Sequence, residues 1–339
     1  MRYVTLVVLF FVFSLSFAQE ESLQRFANLG DFRLENGEII KNCCLGYRLI
    51  GKLDEKKSNA ILFPTWFGGN TQSLSRLIGP NGLVDPSRYF IVAVDALGNG
   101  ISSSPSNSVQ KGEAFPRFNI RDMVRSQHQL LTKELGLNHL HGIIGGSMGG
   151  MQVFEWIVSY PDFMERAVAY VGTSSPTSYD LLLWHTMIQA IEMGKKNSCP
   201  EEEIIKTSRL IMALVAQTPD AVVEQVPAKE FHKFMEIFQS NPSPHFTSDN
   251  YLGQLRAMLG HDISAPFGNS MEKAAFAVKA KLFVIVCAQD HIVYPKPALD
   301  FAKLTSARTL VLDNNRGHLG VGYELKRVAK EIDEFFAGK

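Results

Sequence analysis

Three residues far apart in the chain carry the side chains that acyl transfer needs. Ser147 stands in Gly145-Gly146-Ser147-Met148-Gly149, a G-x-S-x-G pattern. A β-rich apolar run over residues 140–144 leads into it, and an apolar, helix-forming segment over 151–160 follows at once. Strand, sharp turn and helix in that order place a serine at the apex of a strained turn with its hydroxyl pushed outward. A serine hydroxyl is far too basic to ionise alone near neutral pH, so it needs a partner base. Asp290 closes Ala288-Gln289-Asp290, directly after an apolar strand over 282–287, and His318 lies in Asn314-Asn315-Arg316-Gly317-His318-Leu319-Gly320, ahead of the last helical segment. In the order Ser147, Asp290, His318, the imidazole would take the serine proton and later return it to the leaving group. The carboxylate would fix the imidazole tautomer.

The tetrahedral intermediate also needs donors for its oxyanion. Met148 offers its backbone N–H immediately after the serine. A second should come from the loop Thr65-Trp66-Phe67-Gly68-Gly69, with Phe67 the first choice and Trp66 the alternative. Two other acids compete with Asp290. Asp313 lies too close in sequence to His318 and at the wrong strand end, while Asp95 ends a strand that precedes the serine. His291 reads as a loop residue. His139-x-His141 has the look of a metal pair, but nothing nearby completes a site, so no metal and no resident cofactor are expected.

The elements that must position these residues follow from periodicity. Residues 31–53 alternate as an antiparallel hairpin or meander turning at Glu35-Asn36-Gly37. Short apolar strands are expected over 59–64, 89–95, 140–144, 167–171, 281–287 and 309–312. Amphipathic helices are expected over 118–135 and 323–336. Strands alternating with helices imply a mostly parallel sheet covered on both faces. From about 178 to 261 the pattern turns wholly helical, over 181–193, 202–216, 231–239 and 251–259. This block reads as a helical lid inserted into an α/β domain. The division is residues 19–177 for the first part of the core, 178–275 for the lid and 276–339 for the second part.

The chain has 339 residues, 45% hydrophobic and 20% charged, with 34 basic and 34 acidic side chains. That balance gives no electrostatic case for nucleic acid. The first 18 residues differ from the rest: basic Met1-Arg2, an apolar stretch over 4–13, and small Ser16 and Ala18 at the positions a signal peptidase reads. They read as a signal peptide cut after Ala18, so a secreted or periplasmic protein without stable membrane insertion is expected. The four cysteines (Cys43, Cys44, Cys199, Cys287) are too few for a disulfide scaffold. Cys43 and Cys44 should face opposite ways in a strand, and a bond from Cys199 to one of the others is open.

With these residues assembled, the chain resembles the homoserine O-acetyltransferase family within the α/β-hydrolase fold. The most specific match is Gly145-Gly146-Ser147-Met148-Gly149-Gly150-Met151-Gln152 with Glu155-Trp156. It is joined by Phe115-Pro116, Ile120-Arg121-Asp122-Met123-Val124, Gln127, Gly46-Tyr47, Gly51-Lys52-Leu53, Leu97-Gly98 and Gly317-His318. The resemblance implies an α/β-hydrolase fold and an acyl-serine intermediate. In the acetyltransferases, acetyl-CoA as co-substrate loads the serine and homoserine removes the acyl group; their lid helices dimerise, and the resemblance leaves a homodimer through the lid helices open for this chain. Three departures bear on the substrate. The arginine that holds homoserine's carboxylate in the first lid helix corresponds, through Gln189-Ala190-Ile191, to Ile188. The aspartate usual after the catalytic histidine is Leu319, and the loop carrying Trp66 and Phe67 is bulkier than is usual. Trp66, Ile188 and Leu319 are therefore the candidates for the substrate pocket. With water as acceptor the same chemistry becomes hydrolysis of a fairly apolar carboxylic ester. An O-acyltransferase is the alternative, and a non-catalytic binding protein on the same scaffold is the third reading.

Overall fold

The computed structural model describes residues 23–239 and 246–339; the expected signal peptide lies outside the described residues. The antiparallel entry is formed by β1 (Arg25–Arg33) and β2 (Ile39–Ile50), after which β3 (Ala60–Pro64), the short α1 (Thr71–Ser75) and β4 (Phe90–Val94) begin the alternation. It continues through α2 (Ile120–Gln129), β5 (Leu140–Gly146), α3 (Met148–Ser159) and β6 (Met164–Tyr170). Among the described residues, six α-helices follow without a strand: α4 (Ser178–Lys196), α5 (Glu201–Ala216), α6 (Pro219–Gln225), α7 (Phe231–Gln239), α8 (Ser248–Leu259) and α9 (Met271–Ala277). The sheet resumes with β7 (Lys281–Cys287), α10 (Lys296–Leu304), β8 (Arg308–Leu312), α11 (Gly320–Tyr323) and α12 (Leu325–Phe336).

The eight strands form one sheet in the order β1-β2-β4-β3-β5-β6-β7-β8. The β1–β2 and β2–β4 pairs are antiparallel and all others parallel. Successive side chains of a strand point to opposite faces, and the two faces carry separate cores. Leu62, Val92, Ile143, Val284 and Val286 join one, together with α2, α3 and α10. Ile61, Ile91, Ile144, Phe283 and Ile285 join the other, which α12 covers with Val328, Ile332, Phe335 and Phe336. Cys43 is buried and Cys44 half-buried, as the alternation requires, and Cys199 is exposed; all four cysteines are free thiols.

Several boundaries differ from the periodicity reading. β1 begins at Arg25, ahead of the expected hairpin. The single helix expected over 118–135 is α-helical only to Gln129 and closes in a π-turn over Leu130–Glu134. The last helix is broken at Glu324 into α11 and α12. Four short helices, α1, α6, α9 and α10, fall outside the segments expected to be helical.

The first helix of the insertion begins with a capping box. Thr177 and Asp180 exchange side-chain and backbone bonds across the first turn of α4. His261, buried just after α8, ties that helix to the segment ahead of α4: its Nε2 donates to Thr173 O at 2.9 Å. Burial disfavours the charged ring and pushes its pKa down from 6.5 to about 4. The unfolded chain therefore binds this proton at a higher pH than the native one. The contribution to stability is complete above pH 6.5 and is lost as pH falls towards 4. Between pH 7 and 4.5 this one group should cost the native state about 2 kcal/mol. Urea unfolding at both pH values should show that loss in the unaltered protein and a smaller one in His261→Gln. Equal losses would refute the assignment.

Candidate active site

The serine sits where β5 passes into α3. Ser147 has φ 55° and ψ −123°, a region costly for a residue with a Cβ. The turn holds because its neighbours leave no room for a looser path. A Cβ on Gly145 would lie 2.3 Å from Gly149 O, and one on Gly149 2.8 Å from Pro64 O. The Ser147 amide donates to Tyr170 O at 3.0 Å, tying the turn to the end of β6.

His318 Nε2 lies 3.0 Å from Ser147 Oγ, and His318 Nδ1 lies 2.7 Å from Asp290 Oδ2. With its proton on Nδ1 donated to the carboxylate, the imidazole presents a lone pair at Nε2 to accept from the serine hydroxyl. Asp290 is only 3% exposed. Its other oxygen, Oδ1, accepts the amides of Ile292 and Val293 at 2.8 and 3.0 Å. The carboxylate is thus clamped in one orientation, with Oδ2 facing the ring.

Many backbone groups of the loop over residues 65–71 have protein partners. Thr65 N–H donates to Val94 O, Gly68 N–H to Gln254 Oε1 and Gly69 N–H to Trp66 O. Thr65 O accepts from Gln152 Nε2, Gly69 O accepts from Asn99 Nδ2, and Thr71 N–H donates to Asp95 Oδ1. Among the described residues, the Trp66 and Phe67 amides, and that of Asn70 at the cap of α1, donate to no protein group. The Met148 amide, in the first turn of α3, also lacks an acceptor, as helix geometry dictates. These are the amides free to meet an oxyanion.

Behind the serine a buried amide chain joins three elements. Trp156 Nε1 donates to Gln127 Oε1 at 2.8 Å, Gln127 Nε2 to Gln152 Oε1 at 2.5 Å, and Gln152 Nε2 to both Thr65 O and Met148 O. Arg121 pairs with Glu155 through both oxygens, at 2.6 and 3.2 Å, locking α2 against α3.

The inserted helices touch each loop of the site. Asp180 of α4 accepts the amide of Tyr294, four residues after Asp290. Thr218 donates to Asn315 O, and Glu224 of α6 accepts from Asn315 Nδ2 and Arg316 Nη2, just ahead of His318. Gln254 of α8 holds Gly68. No sequence motif announces these four residues.

The remaining candidates divide between the loops of the site and other parts of the fold. Asp95 is buried and bound to Thr71, Asn99 and Gln24, and Asp313 is exposed on its loop. His139 and His141 contact two different backbone oxygens, those of Asp162 and Phe336. Trp66 is half-buried, its indole folded over Gly69 so closely that a Cβ there would lie 2.6 Å from Nε1. Ile188 is buried in the core beside Trp184 and Met187. Leu319, next to His318, is 50% exposed. Phe67 meets Phe246 and Tyr251 edge-on, with ring centroids 5.5 and 5.2 Å apart, and these two rings come from α8 and the segment before it.

Residues 60–196 match the family model of the alpha/beta hydrolase fold. A probable esterase of Corynebacterium glutamicum is 32% identical over 324 residues, covering 91% of this chain and 93% of that protein. The chain belongs to the alpha/beta hydrolase fold family. Within that family, ethyl acetate hydrolase from Pseudomonas veronii is 30% identical over 325 residues, with 91% and 93% covered. An acetylester hydrolase structure from Corynebacterium glutamicum superposes with a TM-score of 0.84 at 29% identity, over 93% of this chain and 96% of that one. Homoserine O-acetyltransferases are among the further relatives of this family member. The protein is an alpha/beta hydrolase enzyme of the group that holds ester hydrolases and acyltransferases.

Proposed function

We propose that the protein hydrolyses carboxylic esters of modest, fairly apolar character through an acyl-enzyme on Ser147. The observation that carries this is the unbroken relay from Ser147 Oγ through His318 to a clamped, buried Asp290, at 3.0 and 2.7 Å. His318 Nε2 takes the hydroxyl proton as Oγ attacks the ester carbonyl. The oxyanion that forms is held by the amides of Met148 and Phe67. Collapse breaks the bond to the alcohol, which leaves with the proton from Nε2. Water then attacks the acyl-serine with Nε2 as its base, and the carboxylic acid departs.

The alternative acceptor is an alcohol, with acetyl-CoA as donor, and the homoserine O-acetyltransferase relatives favour it. Ile188 and Leu319 speak for water instead, because both charged groups that would hold a zwitterionic amino acid are replaced by apolar ones. The ethyl acetate hydrolase and esterase relatives support the same choice. Export is part of this reading: a chain cleaved after Ala18 would work where water is abundant and acetyl-CoA scarce.

Purified protein should turn over p-nitrophenyl acetate and short alkyl acetates. Acetyl-CoA should give no CoA release that depends on homoserine. Homoserine-dependent CoA release would sink the hydrolase reading and establish the transferase; absence of both reactions would sink each enzymatic reading.

A further inference from the structure

We propose that Gln254, on α8, is a positioning residue for the oxyanion donor in the loop over residues 65–69. The proposal rests on the reading of Ser147 as nucleophile. Gln254 is fully buried and uses both ends of its amide. Oε1 accepts the Gly68 N–H at 2.9 Å, and Nε2 donates to Leu97 O at 3.0 Å. It therefore bridges the loop after β3 to the loop after β4 from a helix that belongs to neither.

The donor at issue is a backbone N–H, so its aim is set by the torsion angles of the loop and not by a side chain. Thr65 is held at its carbonyl by Gln152 and Gly69 at its carbonyl by Asn99. Between them Gly68 adopts φ 66°, and without a side chain its flanking peptides can rotate at small cost. A turn bond from Gly69 N–H to Trp66 O closes that interval on itself, and Gln254 ties its backbone to α8. By taking the Gly68 N–H it leaves the Phe67 N–H, with that of Trp66, unoccupied and stops Gly68 from competing for substrate or water. Phe67 is gripped from the same side, since its ring meets Tyr251 of α8 at 5.2 Å. Oxyanion stabilisation depends on donors already aimed where charge will develop, so a loop free to swing loses rate without losing ground-state affinity.

The test compares unaltered protein with Gln254→Met, which keeps length and removes both bonds, and with Gln254→Glu. The probe is a trifluoromethyl ketone whose serine hemiketal places an oxyanion in the same hole. Gln254→Met should lower kcat for p-nitrophenyl acetate by about tenfold and weaken ketone inhibition by the same factor, with KM nearly unchanged. Gln254→Glu offers the same donor and acceptor while protonated and loses the donor on ionising. Its activity relative to the unaltered protein should fall from pH 5.5 to pH 8. Unchanged kcat, or reduced kcat with unchanged ketone affinity, would overturn the proposal. If Gln254→Met does not fold, the glutamate variant decides, and a pH-independent ratio overturns it. An unaltered protein that neither hydrolyses the ester nor binds the ketone would sink the parent reading instead.

Discussion

Ser147→Ala should reduce ester turnover by roughly 10⁴–10⁶-fold and abolish labelling by a fluorophosphonate, while leaving the fold in place. The first half follows from the geometry. Oγ is the one atom at the mouth of the elbow with a base at 3.0 Å, and alanine removes it entirely. What survives is the oxyanion hole and binding, which retain some acceleration over water without an acyl-enzyme. The second half follows from what holds the turn. The amide of residue 147 still donates to Tyr170 O, and alanine bears the same positive φ as serine. The measurement is kcat on p-nitrophenyl acetate beside a thermal melt. Turnover surviving in a folded variant would remove Ser147 from the mechanism.

The second large effect is expected of Asp290→Asn, which should lower kcat by about 10⁴-fold with little change in KM. The size comes from a constraint specific to this site. Oδ1 accepts two backbone amides, from Ile292 and Val293, so an asparagine must keep its carbonyl oxygen there. Its NH₂ is then forced to face His318 Nδ1, where a carboxylate oxygen accepts at present. A donor in that position drives the ring proton to Nε2, and a protonated Nε2 cannot take the serine proton. The loss should therefore shrink at high pH, where hydroxide can replace the missing base. A variant within tenfold of the unaltered protein at neutral pH would mean that Asp290 does not set the tautomer.

How much could be seen beforehand depends on how local each signal is. The elbow was legible because strand, turn and helix are contiguous and two glycines are demanded by contacts within the turn itself. The loop of Phe67 and Trp66 was proposed from its place after a strand, and both amides lack a protein acceptor among the described residues. Tertiary and turn bonds take the Gly68 and Gly69 amides out of play. Helix α6 escaped notice because seven residues are too few to show a period, and its Pro219 looks like a breaker although it occupies the first helical position behind the Thr218 cap. The π-turn after Gln129 likewise has no simple periodic signature.

Sequence alone determined the alternating α/β architecture and the helical stretch between β6 and β7, and it singled out Ser147, Asp290 and His318 as the residues to propose for acyl transfer. Each is announced by its own neighbours, through a period of two or 3.6 or through a strand end. Only the tertiary structure decided how those residues are aimed. Asp180, Thr218, Glu224 and Gln254 reach the three loops from the insertion, and Gln254 meets Gly68 across 186 positions of chain. A buried glutamine or a loop glutamate has no local pattern that reveals its partner. A hydrogen bond depends on position in space, which these residues acquire only when the helices pack onto the ends of the sheet.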